Sequence, residues 1–148
     1  MRKMFLTPLI VCIAALLFVL LTPAVYATTP ATASGAWTYE PTFTQRVAGG
    51  NTFRYGEEVS TWTGTFDGTS NDVFTAVIHP SGHVTVTGLI DFTGIVNGAE
   101  GTLVIRFVGT RVLPGPWSGQ WVILSGSGDL ANLHGQGTWW GPPTDVDY

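Results

Sequence analysis

From Gly35 onward the chain is organised by a period of two. Between Glu58 and Phe66, the residues Trp62, Gly64 and Phe66 share one parity while Thr61, Thr63 and Thr65 share the other, the mark of a strand with one apolar and one polar face. Asp67-Gly68 then reads as a turn, and Val73 to His79 supplies Phe74, Ala76 and Ile78 in phase. Pro80-Ser81-Gly82 is a tight connection, so the strand beginning at His83 should return antiparallel beside its predecessor. That strand, His83 to about Val96, is the longest. Val84, Val86, Gly88, Ile90, Phe92 and Gly94 fall in phase, with Thr85, Thr87, Asp91 and Thr93 opposite. At roughly 3.3 Å per residue it crosses more than about 40 Å. Gly88 and Gly94 on its inner phase suit a strongly coiled strand better than a flat one. Asn97-Gly98 is a two-residue hairpin signal leading into Gly101 to Gly109, where Leu103, Ile105 and Phe107 face one way and Val104, Arg106 and Val108 the other.

Arg111 to Pro116 reads as a Pro and Gly connection, after which Trp117, Gly119, Trp121 and Ile123 resume the period. The glycine-rich run Ser125 to Gly137 breaks it, and Leu130 with Leu133 predicts a single helical turn tucking two leucines against an open end of the sheet. Thr138 to Trp140 closes the set, while Gly35 to Tyr39 and a second segment, Thr42 to Val47, open it. The count is about eight strands, mostly joined by short connections. An all-β, antiparallel set of that size either closes on itself or stacks as a β-sandwich. Closure removes exposed edges and suits the long glycine-interrupted strand, so an eight-stranded closed barrel is the expected fold.

The front of the chain is of a different kind. Arg2 and Lys3 form a positive head, and Met4 to Leu21 is apolar apart from Thr7 and Pro8. Val25 and Ala27 place small residues three and one before a cut after Ala27, so residues 1–27 read as an export signal and the mature chain as secreted or extracytoplasmic. The apolar run is near the lower edge of the roughly 17 to 25 residues that span a bilayer, so a membrane partner would follow only if the segment stayed uncleaved. Residues 28–34, rich in Thr, Ala and Pro, read as a disordered spacer, and residues 35–148 as one barrel domain. The only cysteine, Cys12, lies in the signal, so packing and not disulfides must hold the mature domain. Its four arginines stand against ten Asp and Glu residues with no lysine, a balance that repels phosphate backbones and excludes nucleic acid as a partner.

Polar residues that could do chemistry are few. Taking Asn97-Gly98 as the central turn residues sets Asp91 opposite Val104 and Arg106 opposite Leu89. Asp91 and Arg106 are then diagonal neighbours on one face, either a surface ion pair or a charged pair lining a pocket. Glu58 shares the parity of Trp62, and if it points inward burial would raise its pKa. His79 and His83 bracket a turn and His134 lies in the glycine-rich loop, but no zinc-ligand spacing joins them, and neither a metal nor a cofactor is implied. Of the six tryptophans, Trp62 and Trp121 carry the inward parity, whereas Trp139 and Trp140 are consecutive and must point to opposite sides. Indoles fill a core, and they also give flat faces for an apolar or aromatic ligand. Trp62, Asp91, Arg106, Trp121 and Trp139 are the ligand-binding candidates; no residue set specifies a catalytic site.

Gly35-Ala36-Trp37-Thr38, Gly64-Thr65-Phe66-Asp67-Gly68, the stretch Gly88 to Gly94, and above all Gly126 to Gly137 resemble the DUF3224 family of small bacterial proteins of unknown function. The resemblance implies a calycin-like barrel similar to that of allene oxide cyclase and the plant dirigent proteins. It carries over fold and no active site, and the export signal and the connection Arg111 to Pro116 depart from the family pattern. Three functions stay open: noncatalytic binding of a small apolar ligand or surface partner, a structural or protein-interaction domain, and a cyclase- or isomerase-type barrel enzyme. An enclosed apolar pocket favours the first, a filled barrel with an exposed apolar patch the second, and a pocket holding a shifted carboxyl group beside an arginine the third.

Overall fold

A computed structural model describes residues 31–143 and 145–148. The expected export signal, the expected cut after Ala27 and the first part of the expected spacer lie outside the described residues. The strands are β1 (Gly35–Ala48), β2 (Asn51–Gly64), β3 (Phe66–Ile78), β4 (His83–Val96), β5 (Ala99–Val112), β6 (Trp117–Gly128), β7 (Gln136–Gly141) and β8 (Asp145–Asp147). Each pairs antiparallel with the next, and β8 returns to pair with β1, so eight strands form a ring. The strands do not divide into two separate sheets, because pairing runs without a break from β1 to β8 and back to β1.

The β4–β5 hairpin follows the expected register, with Asp91 opposite Val104 and Leu89 opposite Arg106. Asn97 and Gly98 both take positive φ, 51° and 84°, as a two-residue hairpin turn requires. Elsewhere the boundaries move. The expected pair of opening segments is one continuous strand, β1, running through Pro41. The missing N–H is tolerated because β8 pairs only with Ala36, Trp37 and Thr38, leaving the rest of β1 laddered on one side alone. The turn expected at Asp67-Gly68 falls earlier, at Gly64 (φ 108°) and Thr65, and Asp67 and Gly68 lie inside β3 opposite Ile95 and Gly94. Arg111 belongs to β5 rather than to the connection after it. The count of eight survives because one strand expected as two is compensated by β8, which was not expected.

The ring has a packed end and an open end. At the packed end Trp37 stacks on Trp62 with ring centroids 4.6 Å apart, and Phe66, Phe92 and Tyr148 pack around them. Leu103 and Leu130 are buried there. Successive turns bond Leu130 N to Ser127 O, Ala131 N to Gly128 O and Leu133 N to Leu130 O, seating Leu130 where a leucine plug was expected. Tyr148 ties the β2–β3 turn: its hydroxyl accepts from Phe66 N at 2.9 Å and donates toward Thr63 O at 3.1 Å.

Trp139 crosses the interior from β7 and donates to the carbonyls of Val108 (3.2 Å) and Gln120 (3.3 Å). It fits because Gly109 and Gly119 leave room, since a Cβ at either would run into the indole. Trp140, its neighbour in sequence, is 56% exposed on the outside.

Candidate functional site

At the open end the inner faces of the strands line a cavity of about 120 Å³ that opens to solvent. Phe74, Ala76, Ile78, Val84, Val86 and Phe107 supply apolar wall from β3, β4 and β5, and Trp37 and Trp139 lie among the other residues lining it. Tyr39, Pro41 and Phe43 line it from the part of β1 that extends beyond β8, so the weakly laddered seam of the ring lies at the cavity.

Four polar side chains converge on this apolar space: Tyr39, Arg54, Glu58 and Arg111. Their placement follows from period two: Tyr39 shares the phase of Trp37, Glu58 that of Trp62, and Arg111 that of Ile105 and Phe107. The Arg111 guanidinium lies 4.5 Å over the Trp117 ring, and its Nε is buried with no partner. Arg54 lies 4.4 Å over the Phe43 ring and donates through Nε to Gln45 Oε1 at 3.2 Å. Burial lowers the pKa of Arg111, and Arg54 adds to the fall while Tyr39 opposes it. Burial, with a further push from Glu58, raises the Tyr39 phenol to about 12, so it keeps its proton and can donate at neutral pH.

Glu58 stands directly across the β2–β3 ladder from Asp72. Burial first, and the nearby Asp72 second, raise the Glu58 carboxyl to about 7. Asp72 is 1% exposed, deeper in the ring. Its Oδ2 accepts from Ser60 Oγ at 2.7 Å, and its Oδ1 has no partner. Burial raises Asp72 to about 6; the Ser70 and Ser60 hydroxyls hold it down in part, and Asp91 adds a small push upward. Ser70 in turn accepts from Trp62 Nε1 at 2.8 Å, so a polar thread runs from the aromatic plug to the buried carboxyl.

Of the ligand-binding candidates read from the sequence, Arg106 and Trp121 share one outer groove, and the others lie apart from it. Trp139 lines the cavity, while Trp62 is buried in the aromatic plug beneath it. Trp121 is half-buried, edge-on to Phe66 with centroids 5.9 Å apart. Asp91 and Arg106 are exposed, on the strand phase opposite to the buried one. Arg106 borders a separate groove with Val108, Gln120 and Trp121. His79 and His83 face each other across their turn with ring centroids 5.8 Å apart, and His79 Nδ1 lies 3.1 Å from Asn51 Oδ1. Among the described residues no three His, Cys, Asp or Glu side chains gather as a metal site.

Sequence reading left the inward turn of Glu58 open and missed Tyr39, Arg54, Asp72 and Arg111 as groups that face the interior. Asp72 was hidden because residues 67–72 have turn composition, and Arg111 because Pro114, Gly115 and Pro116 drew the strand boundary inward. The signal that finds all of them is parity: Phe66, Ser70, Asp72 and Phe74 are in phase, as are Phe107, Gly109 and Arg111.

These features define an all-β ring protein, packed at one end and holding a small apolar cavity with a charged rim at the other. The chain belongs to the DUF3224 family, described as proteins of unknown function, whose family model matches residues 34–140. It is similar in fold to the crystal structure of a DUF3224 protein of unknown function from Shewanella oneidensis MR-1, with a TM-score of 0.62 and 15% identity. The likeness covers 78% of this chain and 91% of that one. No curated protein matches the chain.

Proposed function

We propose that this protein is an exported, calycin-like closed barrel, of the allene oxide cyclase-like kind, that binds a small ligand with an apolar body in its open end and releases it unchanged. The observation that carries the reading is the cavity itself: apolar walls with a few polar groups converging on them, the usual make-up of a small-molecule site. Titration of the mature chain with toluene, followed by methyl and indole NMR signals, tests it. Saturable shifts are expected at Ile78, Val84, Val86 and Trp139, and they should vanish in Ala76→Phe, which fills the space. Shifts that never saturate, or that fall only on outward-facing residues, would refute a cavity ligand.

A second reading, a cyclase- or isomerase-type enzyme, is favoured by one observation. Glu58, raised to about 7, suits general acid–base work at neutral pH. The two readings part on a ligand with an enolisable carbonyl. Deuterium exchange at its α-carbon, catalysed by the protein and lost in Glu58→Gln, would favour catalysis; recovery of the ligand without exchange favours binding alone.

A further inference from the structure

We propose that the ligand is a small monocarboxylate whose benzene-sized apolar body enters the cavity and whose anionic head is held by Arg111; this rests on the cavity being a ligand site, as above. The first support is a guanidinium set in the cavity lining against an indole. The Arg111 guanidinium carbon lies 4.5 Å over the Trp117 ring, and its Nε is buried without an acceptor, which leaves the terminal nitrogens of the fork for a ligand. A guanidinium presents donors in a fork that matches a carboxylate bidentately, and stacking on an indole fixes the plane of that fork before the ligand arrives.

The second support is the charge around it. Glu58 is the carboxyl group that lines the same cavity, and it does not act as the counter-charge of Arg111. The rise of Glu58 comes from burial and Asp72, with no arginine opposing it, while the ionic neighbours that act on Arg111 are Tyr39 and Arg54. Two guanidiniums share the cavity lining with this one carboxyl group, and the Tyr39 phenol keeps a proton to donate. An anion at this point relieves the Arg54–Arg111 repulsion, which a neutral head does not.

The third support is size. The cavity of about 120 Å³ is close to the roughly 150 Å³ that takes up benzene in an engineered protein core. Its walls are mostly apolar and aromatic with a few charged groups among them, so a single charge at one end of a compact ring or branched chain fits the make-up.

The test compares benzoate with benzyl alcohol, which share a ring and differ in head charge, by calorimetry on the mature chain at pH 7 and low salt. Benzoate is expected to bind about 10-fold more tightly, as one charge-assisted bidentate contact allows. In Arg111→Met the ratio of the two affinities should fall to about one. Arg111→Lys, which keeps the charge but not the fork, should give an intermediate ratio. Equal binding of the two probes by the unmodified protein, or an unchanged ratio in a folded Arg111→Met, would overturn the anionic head and leave the cavity reading standing. Failure of both probes to bind would overturn both.

Discussion

Glu58 and Asp72 face each other across neighbouring strands on the inside of the ring, two carboxyl groups on a face that is mostly aromatic and aliphatic. Burial disfavours their charged forms, and each ionised group raises the cost of ionising the other. The folded protein therefore holds these protons more tightly than the unfolded chain does.

The sign of the pH dependence follows. Between the ordinary carboxylate range and the folded values of about 6 for Asp72 and about 7 for Glu58, the folded state binds more protons than the unfolded one, so stability falls as pH rises through that window. The unfolding free energy should be higher at pH 5 than at pH 8 by about 2 kcal/mol, after allowance for the part of Glu58 that reaches solvent. Glu58→Gln should flatten the slope and be more stable than the unmodified protein at pH 8. Urea titrations at the two pH values decide it: a stability that rises with pH over this interval would contradict the burial of the pair.

Trp139 is seated against Gly119, where a methyl group has no space and the carbonyl of Val108 blocks retreat. Gly119→Ala should destabilise the fold by about 2 kcal/mol, in the range of overpacked cores, and should change the near-ultraviolet circular dichroism of the tryptophans. An unchanged midpoint and spectrum would show that the indole is not held as described.

The Tyr148 hydroxyl bridges the β2–β3 turn through Phe66 N and Thr63 O. Tyr148→Phe should cost about 1 to 2 kcal/mol, because it leaves the Phe66 amide without its acceptor while keeping the ring in the plug. Amide exchange at Phe66 is the local readout and should accelerate.

Asp91 and Arg106 are diagonal neighbours and both are exposed. A double-mutant cycle with alanine at each should return a coupling of at most about 1 kcal/mol, falling with added salt. A coupling of several kcal/mol would assign them a larger part than an exposed ion pair.

Export is checked at the N-terminus. Protein recovered outside the cytoplasm should begin at or near Thr28, as the Val25 and Ala27 spacing requires. Retention of Met1 in a membrane fraction would replace secretion with anchoring.

Period two, read along the chain, determined most of what is local. The bounds of β4, the two-residue turn at Asn97-Gly98, the register it imposes on β5, the inward phase of Glu58 and the leucine seat at Leu130 all follow from alternation and turn composition within a few residues. The order of neighbouring strands was legible for the same reason, since consecutive antiparallel neighbours need only short connections, whereas the count came out at eight only because a strand expected as two offset the unexpected β8. What alternation could not give was where each strand ends. Gly64-Thr65 reverses the chain yet leaves Trp62, Gly64 and Phe66 in phase, so parity passes through the turn unbroken. Pro41 looks like a break, and is tolerated only because β8 is too short to pair beside it.

The site belongs to the tertiary structure. Tyr39, Glu58 and Arg111 come from β1, β2 and β5 and meet across the interior of the ring, a distance that no local spacing encodes. The ring closes at one end over stacked aromatics and stays open at the other, where β1 runs past β8. Burial in that space, and not residue type, is what raises a glutamate to about 7 and leaves an arginine without its acceptor.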